Sequence, residues 1–430
     1  MKLTENETNK GWTKIFSALP LRRELDKHGM CRISAKEIKK YSDREPRLMS
    51  KFDSRDSRPE LLKKHGLTIL PTSNGEYVLL QGDGYCKVPQ ADKYESYDPS
   101  PLLDLQTIPW KEGIRSESQA IDSFYMASAL RTVFGDPSLQ LTIRGRLRSR
   151  GFNFRFLTSK REETIAVEGV QIEVDAGYEG KKKIVLLEAK SGSITDFLIR
   201  QLYYPYRECT ASGVTKEVIP ALLVYSNRLF SLYKITFADL ENYNSAQVAD
   251  TWFLSLDEKE SIPTLKSLLE TKTQPLPANA PFPQADDLEK VILTVEMLTG
   301  GPATKFDIAQ KFDVALDPRQ GDYYGNAAVW LGLAERMGKE NPGFRIAKLG
   351  SAFVGMTRIK RLVELARIVC NKPIFSDVTR DILSGIDVET AGIAKLIEKT
   401  LKEKLSEDTK QRRAVTVKSW VSWLAKQLPS

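Results

Sequence analysis

The chain is poor in imidazole: its 430 residues include two histidines, His28 and His65, both far upstream of its most suggestive acidic segment. That scarcity argues against a Ser-His-Asp hydrolase, a zinc hydrolase built on several histidines and a histidine-metal finger nuclease, since each needs the ring as base or ligand. Cysteine is almost as sparse. Cys31, Cys86, Cys209 and Cys370 are scattered without the paired spacing of a metal site, which suits reduced thiols in a cytoplasmic protein. No apolar run is long enough to cross a bilayer, and Met1-Lys-Leu-Thr-Glu-Asn6 does not read as a signal peptide, so no membrane partner is expected. The pattern Gly-x-x-x-x-Gly-Lys-Ser/Thr is missing too, which excludes an NTP-driven motor working through a P-loop.

What the chain does carry is positive charge, a formal net of +8 with a pI near 9.0. Such a bias favours phosphate backbones or anionic surfaces. It is concentrated: residues 137–161 hold Arg144, Arg146, Arg148, Arg150, Arg155, Lys160 and Arg161 and no acid. In an extended strand Arg144, Arg146, Arg148 and Arg150 share one face, because successive side chains alternate. Two readings of that ribbon stand side by side, contact with backbone phosphates and protection of an edge strand by charge.

The densest chemistry follows it. Gln171-Ile-Glu-Val-Asp175 alternates polar and apolar residues, Gly177 to Lys182 is rich in turn formers, and Ile184 to Leu187 reads as a buried central strand ending in Glu188-Ala-Lys190. Alternation puts Glu188 and Lys190 on one face, and an antiparallel hairpin brings Asp175 and Glu188 to the same end of the pair. Two carboxylates so close repel unless a cation lies between them, and Mg²⁺ meets that need with oxygen ligands. A lysine beside the ion can orient an attacking water while the ion stabilises charge on a phosphate, an arrangement suited to phosphodiester hydrolysis. Glu173 shares the face of Asp175 one pleat further from the strand end and is a rival third acid.

The order of elements carries a resemblance. A helix over 116–134 with Ser116 as N-cap precedes extended segments at about 139–157; the acidic hairpin follows, then a helix from Thr195 to about Tyr204 and a buried strand from Val218 to Tyr225. This α-β-β-β-α-β order resembles the core of the PD-(D/E)xK nucleases, with Val174 where the pattern has proline. The resemblance implies a restriction-endonuclease-like α/β (α+β) core with a mixed sheet. It also implies roles: Asp175 and Glu188 as metal ligands, Lys190 as the catalytic lysine, Glu117 of the first helix as an assisting, metal-binding acid and Gln201 as a supporting polar group. Glu117 at a helix N-terminus is equally favoured by the helix dipole alone.

Around this core, over 106–270, other blocks are expected. Residues 1–105 form a mixed N-terminal region with a helix around 35–41 and extended stretches at 67–70 and 77–80. Within it Glu45-Pro-Arg-Leu-Met-Ser-Lys-Phe-Asp53 resembles a segment of the N-terminal regions of some type II restriction endonucleases. Arg47 and Lys51 there are candidates for DNA contact, or for ion pairs with Glu45 or Asp53. Residues 271–285 carry four prolines and read as an extended spacer.

Beyond it the chain turns mainly helical. Residues 286–356 resemble a winged helix, with Arg319, Gln320 and Asn326 near its third helix, and 357–430 suggest a second such module with Arg412 and Arg413 at the start of its last helix. Together these implications describe a type II restriction endonuclease, cytoplasmic and prokaryotic, using Mg²⁺ to hydrolyse double-stranded DNA. A cognate methyltransferase would be its partner in the system, and a homodimer is left open. Two alternatives remain, a repair or modification-dependent nuclease of the same fold and a DNA-binding regulator on an inactive nuclease scaffold.

Overall fold

The computed structural model describes residues 7–429 apart from 92–93, 108–109, 111–112, 258–259, 279, 313–317, 339, 341 and 402–404. The chain forms two compact units. The first takes Met1–Glu95, Phe124–Tyr225 and Phe230–Leu254; the second takes Ser96–Ser123, Ser226–Leu229 and Ser255–Ser430.

The first unit opens with helices Glu7–Ala18 and Leu21–His28, strand β1 (Met30–Ser34) and helix Ala35–Ser42. Ser34 and Glu37 close a reciprocal capping box at the start of that last helix, which explains why it begins where the strand stops. Strands β2 (Leu67–Ser73) and β3 (Glu76–Gln81) complete a three-stranded antiparallel sheet in the order β1-β3-β2. Trp12, Ile15, Ile38, Met49 and Leu62 pack against it, and the Trp12 indole donates to the Met49 carbonyl at 3.0 Å.

The larger, mixed sheet follows. In chain order its neighbours are β4 (Tyr85–Lys87), β5 (Glu95–Ser96), β6 (Gln140–Arg148), β7 (Phe152–Leu157), β8 (Glu162–Val167), β9 (Gln171–Glu179), β10 (Lys183–Ser191), β11 (Asp196–Leu198), β12 (Glu217–Ser226), β13 (Leu229–Phe237) and β14 (Ala246–Ser255). Seven of them form one sheet in the order β5-β14-β13-β12-β10-β9-β6, while β4 pairs with β11 and β7 with β8. Strand β9 runs antiparallel to both β6 and β10, whereas β12 runs parallel to β10 after a crossover through helix Arg200–Ala211. A parallel return needs such a connection, and a strand covered on both faces needs an apolar run. Ile184–Leu187 supply it, each at most 4% exposed.

Three sequence readings shift. The hairpin turn is shorter than Gly177–Lys182, because β9 continues to Glu179 and Tyr178 is fully buried, opposite both Leu141 and Val185. The helix expected over 116–134 breaks into Glu117–Met126 and Ala129–Phe134 at Ser128, whose φ is +61°. Ser116 caps it as expected, accepting from the Gln119 amide at 3.2 Å. The next helix starts at Arg200 rather than Thr195, since Asp196–Leu198 is taken up by pairing with Tyr85–Lys87, and it runs on to Ala211.

The second unit is mainly helical. Helices Leu288–Leu298, Lys305–Lys311 and Pro318–Trp330 lead into a hairpin of Ala334–Arg336 and Phe344–Ile346, to which Ala303 adds one bridge through Phe344. Helices Lys348–Gly355, Arg358–Cys370, Phe375–Leu383, Thr390–Leu401 and Glu407–Gln427 complete it. One apolar cluster runs from Leu265 to Leu428, so the stretches 286–356 and 357–430 share a core. The proline-rich stretch is not a free spacer. Phe282 and Ala285 are buried in that cluster, Phe282 stacks on Phe375 with ring centroids 5.7 Å apart, and the Gln274 amide donates to the Asn371 carbonyl. Prolines keep it extended, and its aromatic anchors it.

Candidate active site

Strand β10 loses its β9 partner after Leu187 while it stays paired with β12 as far as Ser191, and the residues past Leu187 present the chemistry. The β9–β10 ladder runs from Ile184↔Glu179 to Leu187↔Ala176, so Asp175 and Glu188 follow at the same end. There the Asp175 carboxylate accepts the Ala189 amide at 2.9 Å. Glu188 is 7% exposed, and its Oε1 accepts from Lys190 Nζ at 2.9 Å and from Gln201 Nε2 at 2.5 Å. Gln201 is brought there by the first turn of helix Arg200–Ala211. Asp175, Glu188 and Lys190, the expected core of the site, and Gln201, its expected supporting group, are therefore brought together within the first unit.

The same ammonium also reaches a residue that was noted in sequence only as an ion-pair partner. Lys190 Nζ lies 3.1 Å from Asp53 Oδ2, and Lys51 Nζ lies 3.6 Å from that oxygen. Asp53 sits just beyond the short helix Pro46–Ser50 and is 9% exposed. Its one sequence signal was the segment Glu45–Asp53; no spacing rule joins it to a strand more than a hundred residues on. Glu173, the rival acid, is half exposed and faces Arg47 at 3.9 Å and Arg146 at 4.0 Å. Glu117 opens its helix in the stretch grouped with the second unit, outside the unit that carries this cluster.

Electrostatics follow from burial. Desolvation pushes the Glu188 carboxyl up to about 8, helped by the Asp175 and Asp53 charges and opposed by Lys190. Asp175 is also raised, by burial first and by Glu173, against the Ala189 amide and Lys190. Burial acts on Asp53 in the same sense, but Lys190, Lys51 and Arg200 outweigh it and hold its carboxyl below the usual range. Three acids thus share one half-buried lysine at the centre. Among the described residues no three His, Cys, Asp or Glu side chains stand in ready-made metal-binding geometry, Lys190 lying between Asp53 and Glu188 instead. Two acceptors remain bare: Asp53 Oδ1 and Gln201 Oε1 are buried without a hydrogen-bond partner. Crowded carboxylates and unpaired oxygens fit a hard divalent cation such as Mg²⁺, which takes oxygen ligands.

The arginine ribbon lies on β6, an edge of the large sheet. Arg144, Arg146 and Arg148 are exposed, and Gly145, at φ +104°, sits where the β6–β9 register slips. Arg150, just past the strand, is tied to Glu208 through its backbone amide at 2.9 Å and its side chain at 3.5 Å. Arg47 pairs with Glu173 rather than Glu45, which bonds to Lys39.

In the second unit Arg319 is exposed and Gln320 half-buried. Asn326 is spent internally, accepting from Arg336, which also binds Asp322. Arg412 is half exposed and bonded to Asp408. Arg413 is 7% exposed, its guanidinium 5.5 Å from the Phe282 ring centroid. The helix face that carries Thr416, Val417 and Trp420 turns Arg413 into the core, which removes it from the surface candidates for phosphate contact.

Three stretches match family models, each described as a domain of unknown function: DUF6996 over residues 9–79, DUF6997 over 80–252 and DUF7226 over 290–429. No curated protein and no solved structure matches the chain. Asp53 falls in the first stretch, and Asp175, Glu188, Lys190 and Gln201 in the second.

Proposed function

We propose that the chain is a Mg²⁺-dependent endonuclease of the PD-(D/E)xK kind acting on double-stranded DNA, of type II restriction character. The observation that carries this reading is the end of β10, where Glu188 bonds to Lys190 and to Gln201 of the crossover helix while Asp175, across the hairpin, accepts the Ala189 amide between them. The order β6-β9-β10-β12, three antiparallel strands followed by a helix and a parallel return, supports the same family reading. In the second unit, three helices and a hairpin bridged by Ala303 support a winged-helix reading of its first part.

Asp175 and Glu188 would hold the ion, which would supply positive charge against the negative charge developing on the phosphate. Lys190 Nζ, anchored by Glu188, orients a water for attack on phosphorus. Gln201 fixes the Glu188 carboxylate by donating to the same oxygen that Lys190 uses. The water oxygen bonds to phosphorus and gives a proton to solvent as the P–O3′ bond breaks, and the leaving 3′ oxygen takes a proton from solvent, leaving a 3′-hydroxyl and a 5′-phosphate. The exposed arginines of β6 supply the cationic surface such a substrate needs.

Incubating the full chain with supercoiled plasmid and Mg²⁺, and sequencing the ends, tests the proposal. Discrete cuts with 5′-phosphate termini, lost when EDTA replaces Mg²⁺, are expected. Intact plasmid of every sequence and methylation state would overturn it, and cutting confined to methylated plasmid would move the reading to a modification-dependent nuclease.

A further inference from the structure

Asp53 is held with a precision that an ordinary ion pair does not require. Its carbonyl accepts the Leu198 amide at 3.0 Å, and the Tyr85 hydroxyl donates to the preceding carbonyl, that of Phe52, at 2.9 Å. Two residues on, the Arg55 amide donates to Asp196 at 2.8 Å, while the Arg55 side chain joins Asp83 and Asp196. The loop is thereby pinned to β4 and β11, independently of Lys190. Burying a carboxylate is costly, and a purely structural pair would be expected to satisfy both of its oxygens. Instead Asp53 Oδ1 has no hydrogen-bond partner, and Gln201, which donates to Glu188 through its nitrogen, leaves its own buried oxygen bare. Asp53 and Gln201 are each one hydrogen bond from the Lys190–Glu188 pair.

Resting on the nuclease reading above, we infer that Asp53 is a third carboxylate of the metal site, so that the N-terminal region completes the catalytic centre instead of forming a separate recognition domain. Lys190 bridges Asp53 and Glu188 and neutralises only part of the charge of three acids, which a divalent cation beside it would complete. Lys51, 3.6 Å from Asp53 and half exposed, tempers the added charge from the solvent side. The site is then a composite of two stretches that match separate family models.

Mn²⁺ binding to the full chain, followed by calorimetry or electron paramagnetic resonance without DNA, tests this apart from cleavage. Asp53→Asn changes one atom, and a circular dichroism spectrum and melting temperature like those of the unaltered chain establish that it folds. Asp53→Asn is expected to bind Mn²⁺ at least tenfold more weakly, and to do so equally in a Lys190→Ala background, where no ion pair with Lys190 exists. Affinity within twofold of the unaltered chain in both backgrounds, with Asp175→Asn and Glu188→Gln still weakening it, would overturn the role of Asp53 and leave the nuclease reading intact. A weakening seen only when Lys190 is present would make Asp53 an anchor for the lysine and equally overturn the inference. Absence of Mn²⁺ binding by the unaltered chain would remove the metal site itself.

Discussion

Glu188 is desolvated enough that its carboxyl rises to about 8, yet Lys190 lies 2.9 Å away and favours its ionised form. Such opposition is found where a group is kept for chemistry more than for folding. Glu188→Gln keeps the shape and removes the charge, so it should cut plasmid at least about 100-fold more slowly while retaining DNA affinity within a fewfold. A cleavage rate near that of the unaltered chain, measured under single-turnover conditions, would dismiss Glu188 as a catalytic group. Thiols give a second residue-scale expectation. Burial raises Cys31 to about 12 and Cys86 and Cys370 to about 11, so at pH 8 about one in a thousand or fewer of these groups is thiolate. Native alkylation with iodoacetamide should therefore be slow and begin at Cys209, the least buried of the four, with all four reacting in denaturant. Asp175, Glu188 and Lys190 were legible because two short strands and one turn place them. Asp53 was not, because its approach depends on pinning to β4 and β11, a long-range closure that leaves no local pattern.

Strand β6 shows how far a pattern alone can go. Arg144, Arg146 and Arg148 are exposed, but so are Leu141 and Leu147 of the same strand, and the two register slips against β9 and the edge position in the sheet come from pairing, which the strand's own sequence does not encode. The Thr195 helix was misread for the same reason, its first residues being claimed by β4. Edge protection and phosphate contact remain separable by experiment. Arg146→Gln with Arg148→Gln should weaken binding to cognate and random duplex alike and lower the slope of log affinity against log salt by about 1.8, if both side chains touch phosphates. Anisotropy titrations at several salt concentrations report it. An unchanged slope would assign the ribbon to guarding the edge.

Across the molecule, the two units divide the chain without following its blocks. The second unit gathers residues 96–123 and 226–229 with its C-terminal part, and a buried network ties those segments in: Arg361, fully buried, bonds to Glu296 at 2.7 Å and to Asn227, and Arg228 bonds to Asp257 and to the Trp110 carbonyl. Removing one partner of such a pair strands the other charge, so Arg361→Met should destabilise this unit by about 3–5 kcal/mol, read as an early transition in denaturant. Cutting the chain at residue 286 would strip those early segments of their core, which makes truncation a poor test of what the helical part does. Point changes on its exposed surface are better. Asn326 is occupied by Arg336 and Arg413 is buried, so the test falls on Arg319 and Gln320, exposed and half-buried at the start of helix Pro318–Trp330. If that helix reads bases, Arg319→Ala with Gln320→Ala should lower affinity for the cognate duplex by about 1–3 kcal/mol per lost base contact and leave affinity for random duplex nearly unchanged. Equal losses on both duplexes would make it a backbone contact, and no loss on either would assign the helix to packing within its unit.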